Sequence, residues 1–325
     1  MVDHSNLHPF VWRQSRPYAD AIISLGPSRW EEGAQLIETA CRKVGRYPAN
    51  LDSEAMGAAV VSRFWAQSRN AVVIVPELWR MIESSGAEDI PLSAIKLPHS
   101  FMFLGAPRGN GLRLSGDEEN EFCGAYINKS DTMLSFGLVF RSWTVSTRKQ
   151  NWPAVFDCVS FIQAGISPKL TLDEWLSESA SASGSICSPG LLPDLRKALE
   201  VVLNCLCYLS TEPPIETEWS SAPPAKMLRV LAEGSARKRA VARADVERLG
   251  ILPISVLGRE IARATSKSAD TGEVAPHWRR GHFHTYWTGK GRAIPAVRWV
   301  RPVIVNADKG APQGVHIHPV VGAAS

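Results

Sequence analysis

The stretch from Pro276 to Asn306, PHWRRGHFHTYWTGKGRAIPAVRWVRPVIVN, constrains this chain more than any other. It gathers three histidines, adjacent arginines at 279 and 280, and three tryptophans. Gly289, Lys290, Gly291 and Arg292 separate two runs rich in aromatic and β-branched residues, the pattern of a β-hairpin with a longer loop. Strand residues alternate faces. That places Arg280, His282, His284 and Tyr286 on one face of the first strand, and Gly281, Phe283, Thr285 and Trp287 on the other. On the second strand Val297, Trp299, Arg301, Val303 and Val305 share a side, with Arg298 and Val300 opposite. Pro302 has no N–H to give to a ladder, so it belongs at an edge or an end. The expectation is a hairpin with one packing face and one cationic, titratable face open to a ligand.

That open face has competing uses. His282 and His284, with His277 nearby, have the i, i+2 spacing that points two imidazoles the same way, as a metal site needs. The segment has no cysteine, and its first strand has no carboxylate to complete the set, so metal ranks last and no metal or cofactor is expected. An RNA-cleaving enzyme would use His282 and His284 as acid and base, with Arg280 (or Arg279 beside it) stabilising an anionic transition state. A non-catalytic surface would use His277, Trp278, Arg279, Arg280, His282, His284, Tyr286, Arg298 and Arg301, with guanidiniums on phosphates and rings stacked on bases or set against an acidic peptide. The simplest alternative is a structural hairpin whose histidines only make hydrogen bonds.

Charge is spread unevenly along the chain. Residues 226–325 hold 17 Lys and Arg against 7 Asp and Glu, net +10, which leaves 19 against 25, net −6, in the first 225. A basic C-terminal third on an acidic body calls for an anionic partner such as RNA or the ribosome, or else for attraction between the two parts. At 325 residues, 45% hydrophobic and 21% charged, the composition is that of a soluble protein of one large or two medium domains. No apolar run reaches the length needed to span a membrane. The opening MVDHSNLHPFVWRQ lacks a positive region followed by an apolar core, so no signal peptide is expected and the reading is cytoplasmic. Cysteines at 41, 123, 158, 187, 205 and 207 form no C-x-x-C and read as small buried hydrophobes.

Residues 1–90 have a helical pattern. Pro9, Pro17 and Pro27 make 1–29 read as irregular. Ser28 and Glu31 form a capping box for a helix reaching Val44, with Ala34, Ile37 and Ala40 inward. Ser53, Met56, Val60 and Phe64 mark a second helix, Val72–Val75 a short strand, and Pro76 the start of a third helix to Ile82. Trp30, Trp65 and Trp79 are expected to fill the core. Residues 91–224 change period. Short β-rich runs from Ile95 to Gln163, with turns at Asn110-Gly111 and Asn128–Asp131, predict an antiparallel meander. His99 reads as a core or loop histidine. Thr171 caps a short helix. Leu195, Ala198, Leu199, Val202, Leu206 and Leu209 repeat at helical spacing and predict a central buried helix. The segment from Thr211 to Pro224 reads as an exposed connection.

Residues 225–306 form the basic part. Ala225–Leu249 is a helix or an arm that orders on a partner, and Arg237, Lys238, Arg239 and Arg243 are a basic cluster suited to RNA or to a solvated face. Ile251–Val256 reads as a short edge strand because Pro253 lies in it. A short helix with Arg259, Glu260 and Arg263 follows, then the hairpin, and 307–325 reads as a flexible tail. The parts are expected to share one body of α+β class: N-terminal helices, a central antiparallel sheet, a buried long helix and a C-terminal basic β-hairpin.

No phosphate-binding glycine loop, nucleophile elbow or zinc-finger spacing is present. HWRRGHFHTYWTGKG followed by VRWVRPVIVNAD resembles the C-terminal signature of a type V-A anti-CRISPR protein family. In the same order, IKLPHSFMFLG (Ile95–Gly105) is similar to that family's central strand region, LRKALEVVLNCLCYLSTEPP (Leu195–Pro214) to its long apolar helix, and VLGREIAR (Val256–Arg263) to its segment before the hairpin. The resemblance implies a non-enzymatic protein of phages, plasmids or other mobile elements, acting in the cytoplasm of a bacterial host cell. It implies suppression of the biogenesis of a type V-A RNA-guided nuclease: engagement of the CRISPR effector as a nascent chain, and loss of its messenger RNA. An RNA-cleaving enzyme and a nucleic-acid-binding accessory protein of a mobile element are the alternatives the residues leave open.

Overall fold

Four apolar residues, Ala71–Ile74, form the strand around which the sheet is assembled (β1). Its β-branched side chains favour an extended backbone, and all four residues are buried. A strand buried throughout needs neighbours on both edges and cover on both faces. β1 pairs parallel with β2 (Phe101–Gly105) on one edge and with β8 (Pro253–Leu257) on the other. Beyond β2 lie β4 (Asp117–Lys129), β5 (Met133–Ser142) and β6 (Asp157–Gly165), all antiparallel, with the short β3 (Arg113–Leu114) also on β4. β7 (Ile215–Trp219) closes the other side, antiparallel to β8. The order is β6-β5-β4-β2-β1-β8-β7.

The computed structural model describes the chain outside residues 1–3, 5, 17–18, 27–28, 30–31, 33–34, 36–37, 40–50, 84, 86–89, 115–116, 143–156, 166–170, 172–173, 176–191, 212, 214, 263–276, 280, 301–302 and 306–325. The Ser28–Glu31 capping box, the inward Ala34, Ile37 and Ala40, Trp30, Arg263 and the tail from 307 lie outside the described residues.

The α+β class and the antiparallel meander hold, with three differences. The sheet is mixed, because β1 joins its centre instead of standing apart with the helices. Ile251–Val256 is not an edge: β8 is an inner strand, and Pro253 is tolerated as its first residue. The supposed connection 211–224 carries the true edge, β7, whose acidic residues Glu216 and Glu218 masked its β pattern.

Helices cover this sheet. Within the stretch expected to be irregular, His8–Ser15 form α1 and Ala19–Leu25 form α2. Pro9 stands in the first turn of α1, where its missing N–H leaves no bond unmade. α3 (Leu51–Arg63) continues into a π-helical turn at Phe64–Ser68. There the buried Trp65 donates from Nε1 to Pro9 O (3.1 Å) and lies under the Arg13 guanidinium at 4.3 Å. His8 Nδ1 and the Tyr126 hydroxyl share a buried hydrogen bond of 2.9 Å. α4 (Pro76–Glu83) begins at its proline as expected and packs Trp79 on Phe122, ring centroids 6.2 Å apart. Thr171 and Glu174 form the capping box: Thr171 N–H donates to the Glu174 carboxylate (2.8 Å) and Glu174 N–H to Thr171 Oγ1 (3.3 Å).

The long helix, α5 (Leu192–Leu209), is the buried element its sequence predicts. Every residue from Val201 to Leu209 is buried, as for a helix that is apolar all round. Asn204 Nδ2 donates to Ser85 O (2.7 Å), tying α5 to the end of α4. Burial pushes the Cys205 and Cys207 thiols well up, so both stay protonated and act as apolar filler. α6 (Ala225–Glu233) and α7 (Ala236–Arg248) follow, joined only by Gly234 and Ser235. Among the described residues no helix is long and apolar enough to cross a membrane.

A bulge at Phe122–Gly124 in β4 demands glycine. Gly124 has φ +149°, and a Cβ there would stand 2.3 Å from Leu104 O. Gly109 has φ +76° with open space around it. Gly124→Ala therefore combines backbone strain with a clash and is expected to cost about 3–5 kcal/mol, against about 1–2 kcal/mol for Gly109→Ala. Urea melts of both variants check this; equal costs would contradict the bulge geometry.

Candidate functional site

The C-terminal hairpin forms as the sequence predicts: β10 (His282–Thr288) pairs antiparallel with β11 (Ile294–Val300). β9 (His277–Arg279) and β12 (Val303–Val305) also pair antiparallel, as a separate two-stranded sheet. Gly289 (φ +77°), Gly291 (φ +71°) and Arg292 (φ +52°) make the turn, with Arg292 N–H donating to Gly289 O at 3.1 Å. Positive φ at both glycines is the reason the loop needs them.

Register fixes the two faces. Phe283 stands opposite Trp299, Thr285 opposite Val297, and Trp287 opposite Pro295. His282 stands opposite Val300, His284 opposite Arg298, and Tyr286 opposite Ala296. The first set faces the body near the hairpin's base: Phe283 and Val297 are buried, and Trp299 packs edge-on against Tyr208 of α5 at 4.9 Å between centroids. Phe283 lies 6.5 Å from Trp299, so three aromatic rings weld the hairpin to the end of the buried helix. The inward face does not extend to the tip. Trp287, expected to pack, is 51% exposed, because alternation sets a side chain's direction while only the body's edge sets how far cover reaches.

The outward face is exposed and organised. His284 meets Tyr286 edge-on at 4.6 Å between centroids, and the Arg298 guanidinium lies over the Tyr286 ring at 5.4 Å. His282 is exposed on the same face. The turn presents Lys290 and Arg292, both exposed. No Asp or Glu occurs from 277 to 306. Of the exposed large hydrophobic residues, Tyr286, Trp287, Ile294 and Val300 all belong to this hairpin. Exposed rings and cations without a single carboxylate make a surface for a polyanion or for an aromatic-and-arginine protein contact.

A cleft of about 430 Å³ runs between the hairpin and the body. Tyr286, Thr288, Val297 and Arg298 line one wall, and Lys96, Ser210 and Thr211 the other. Ser210 Oγ donates to Leu206 O (2.7 Å) and accepts from Lys96 N–H (2.8 Å), which fixes the body's wall to the end of α5. Lys96, Ser210 and Thr211 carry no local motif; only the docking of the hairpin brings them beside Tyr286 and Arg298.

The structure brings His282, His284, Tyr286 and Arg298 together. His277, Trp278 and Arg279 lie on β9, paired with Val305, Ile304 and Val303, and only their backbone placement is described. Arg280, Arg301 and Pro302 lie outside the described residues. His99 is an exposed loop residue whose partial burial lowers its pKa. Arg237, Lys238 and Arg239 occupy the first turn of α7 and are exposed, whereas Arg243 pairs with Glu247 at 3.7 Å. Among the described residues no group of three or more His, Cys, Asp or Glu is placed to hold a metal ion.

The two faces make opposite demands on stability. Phe283→Ala is expected to cost about 3–5 kcal/mol, because it empties a buried ring site. Trp287→Ala and His284→Ala are expected to cost under about 1 kcal/mol, as exposed substitutions do. Denaturant melts with Trp fluorescence separate the two classes; a His284 variant that melts as early as the Phe283 variant would reverse the faces.

Residues 73–307 match the family described as AcrVA2-like, the Anti-CRISPR type V subtype A2 family. No curated protein matches the chain. A solved structure described as "Crystal structure of AcrVA2" is similar over 94% of this chain and 100% of its own, at 13% identity and a TM-score of 0.47. The family match takes in well over half of the sequence, from β1 through the hairpin. The chain belongs to the AcrVA2-like family of type V subtype A2 anti-CRISPR proteins.

Proposed function

We propose that this chain lowers production of a type V-A RNA-guided nuclease by engaging the nuclease as a nascent polypeptide and promoting loss of its messenger RNA. On this reading it works in the cytoplasm of the bacterial host, where the nuclease is translated. Its partners are the newly made effector chain together with RNA or the ribosome. Family membership supports the target class. The observation that carries the site is the outward face of the hairpin: His282, His284, Tyr286 and Arg298 exposed together, Lys290 and Arg292 at the tip, and no acid in the segment. Such a face meets phosphates and unpaired bases through charge and stacking. The adjoining cleft, lined by Lys96, Tyr286 and Arg298, is suited to an extended segment lying beside the hairpin.

We read the surface as a binding one. His282 and His284 sit two residues apart on an exposed strand, and the His284 ring is engaged edge-on by Tyr286. Acid–base cleavage asks for a pair held on either side of a scissile bond, each oriented by a further group.

In cells making the nuclease, the chain is expected to lower both nuclease protein and its messenger several-fold. Purified chain added to an assembled nuclease–guide complex is expected to leave DNA cleavage unchanged. The double variant His284→Ala/Arg298→Ala is expected to melt with the parent and lose suppression. Inhibition of the finished complex with nuclease levels unaltered would contradict the reading.

A further inference from the structure

We infer that the helical hairpin α6–α7 is a second RNA-binding surface, one that grips the phosphate backbone without reading sequence. This inference deepens the RNA contact proposed above, and its test stands apart from that reading.

α6 has no buried residue, and every residue from Ser235 to Val241 at the start of α7 is exposed. Within α7 only Ala242 and Val246 are buried, one turn apart, so the helix is anchored through its C-terminal half and its N-terminal half projects. The projection is built to hold its shape. Gly234 N–H donates to Val230 O at 2.9 Å, and a Cβ on Gly234 would stand 2.4 Å from that same oxygen, so only glycine makes this corner. Ser235 O then accepts the Arg239 N–H at 2.9 Å. A partner meeting this arm has no backbone to order.

Unpaired positive charge is concentrated at one end of this arm. From 225 to 248 the acids are Glu233, Asp245 and Glu247, and each has an arginine on its own helix: Arg229 (3.4 Å), Arg248 (2.7 Å) and Arg243 (3.7 Å). Lys226, Arg237, Lys238 and Arg239 have no acidic partner among the described residues. Three of these four are consecutive in the first turn of α7, which contains no acid. The helix dipole is positive there, so these cations oppose helix stability. An arrangement that costs stability and leaves its charges exposed is one an anion would relieve.

The exposed stripe also gives clearance. At helical spacing Arg237, Ala240, Val241 and Ala244 point away from the buried Ala242 and Val246, so small side chains flank the Arg237 guanidinium. A backbone can approach closely, and guanidiniums suit phosphate oxygens bidentately. The arm carries no aromatic ring, so it has no means of stacking on bases. Its contacts are to phosphate alone. The large apolar residues needed to bury a helix in a lipid surface are also missing from the stripe, where Val241 is the largest.

The test uses the full chain and a labelled 20-nucleotide RNA of mixed sequence, titrated by fluorescence anisotropy across a salt series. The triple variant Arg237→Ala/Lys238→Ala/Arg239→Ala is compared with the parent and with His284→Ala/Arg298→Ala. Each lost phosphate contact removes about 0.7 from the log–log salt slope for a single strand, so the triple variant is expected to flatten the slope by about 2 and to weaken binding at least about tenfold at moderate salt. Its melting temperature is expected to stay level or rise, since cations leave a positive helix end. The hairpin variant is expected to keep the arm's share of the slope. Unchanged affinity and slope in the triple variant, no RNA binding by the parent, or displacement by polyglutamate as effective as by unlabelled RNA would each overturn the inference. Suppression of nuclease production, measured in parallel, reports on the functional reading and not on this one.

Discussion

The need to bury Ala71–Ile74 on both edges and both faces organises this molecule. A four-residue strand cannot stabilise itself; it becomes the sheet's centre because β2 and β8 supply parallel neighbours from thirty residues and from some one hundred and eighty residues downstream. That demand pulls the C-terminal third of the chain onto the antiparallel meander. It leaves β7 as the edge and positions α5 so that its C-terminal end, Tyr208 to Ser210, emerges where the hairpin docks. The candidate site is therefore assembled by long-range burial, which brings the end of α5 beside the hairpin.

At the hairpin, packing and chemistry are separated by strand alternation. The inward residues Phe283, Val297 and Trp299 spend their surface on Tyr208 and the core. The outward residues His282, His284, Tyr286 and Arg298 keep theirs available, with Tyr286 held between an imidazole edge and a guanidinium. Such ring and cation contacts are worth roughly 0.5–1 kcal/mol each at exposed sites, too little to explain a whole face by stability alone. A segment without a carboxylate, on a chain whose first 225 residues are net acidic, points the same way: its charge is available to a partner.

The faces of the hairpin were legible because a period of two is a strict geometric signal, and register confirmed each assignment from Phe283–Trp299 to Tyr286–Ala296. The buried helix was legible because Leu195 to Leu209 repeats at helical spacing with apolar residues filling the gaps. What was not legible depended on distant partners. Val72–Val75 reads as a strand but not as the middle of a sheet. Pro253 reads as an edge marker, yet at the first position of a strand it costs the ladder little. Pro9 reads as a breaker, yet it opens α1. Trp287 reads as buried from its neighbours' pattern, while its exposure depends on where the body ends. Lys96, Ser210 and Thr211 enter the site only through tertiary contact.

On the proposed reading the chain acts on the nuclease while it is being made, through the outward face of the hairpin. The most direct measurement is retention from an active translation extract. Tagged chain is recovered while the type V-A nuclease is being synthesised, and the bound fraction is assayed for the unfinished polypeptide and for its messenger. Both are expected to be retained together, an unrelated message is not, and the His284→Ala/Arg298→Ala variant is expected to recover neither although it melts with the parent. Recovery of only the completed nuclease, or equal recovery by the variant, would contradict it.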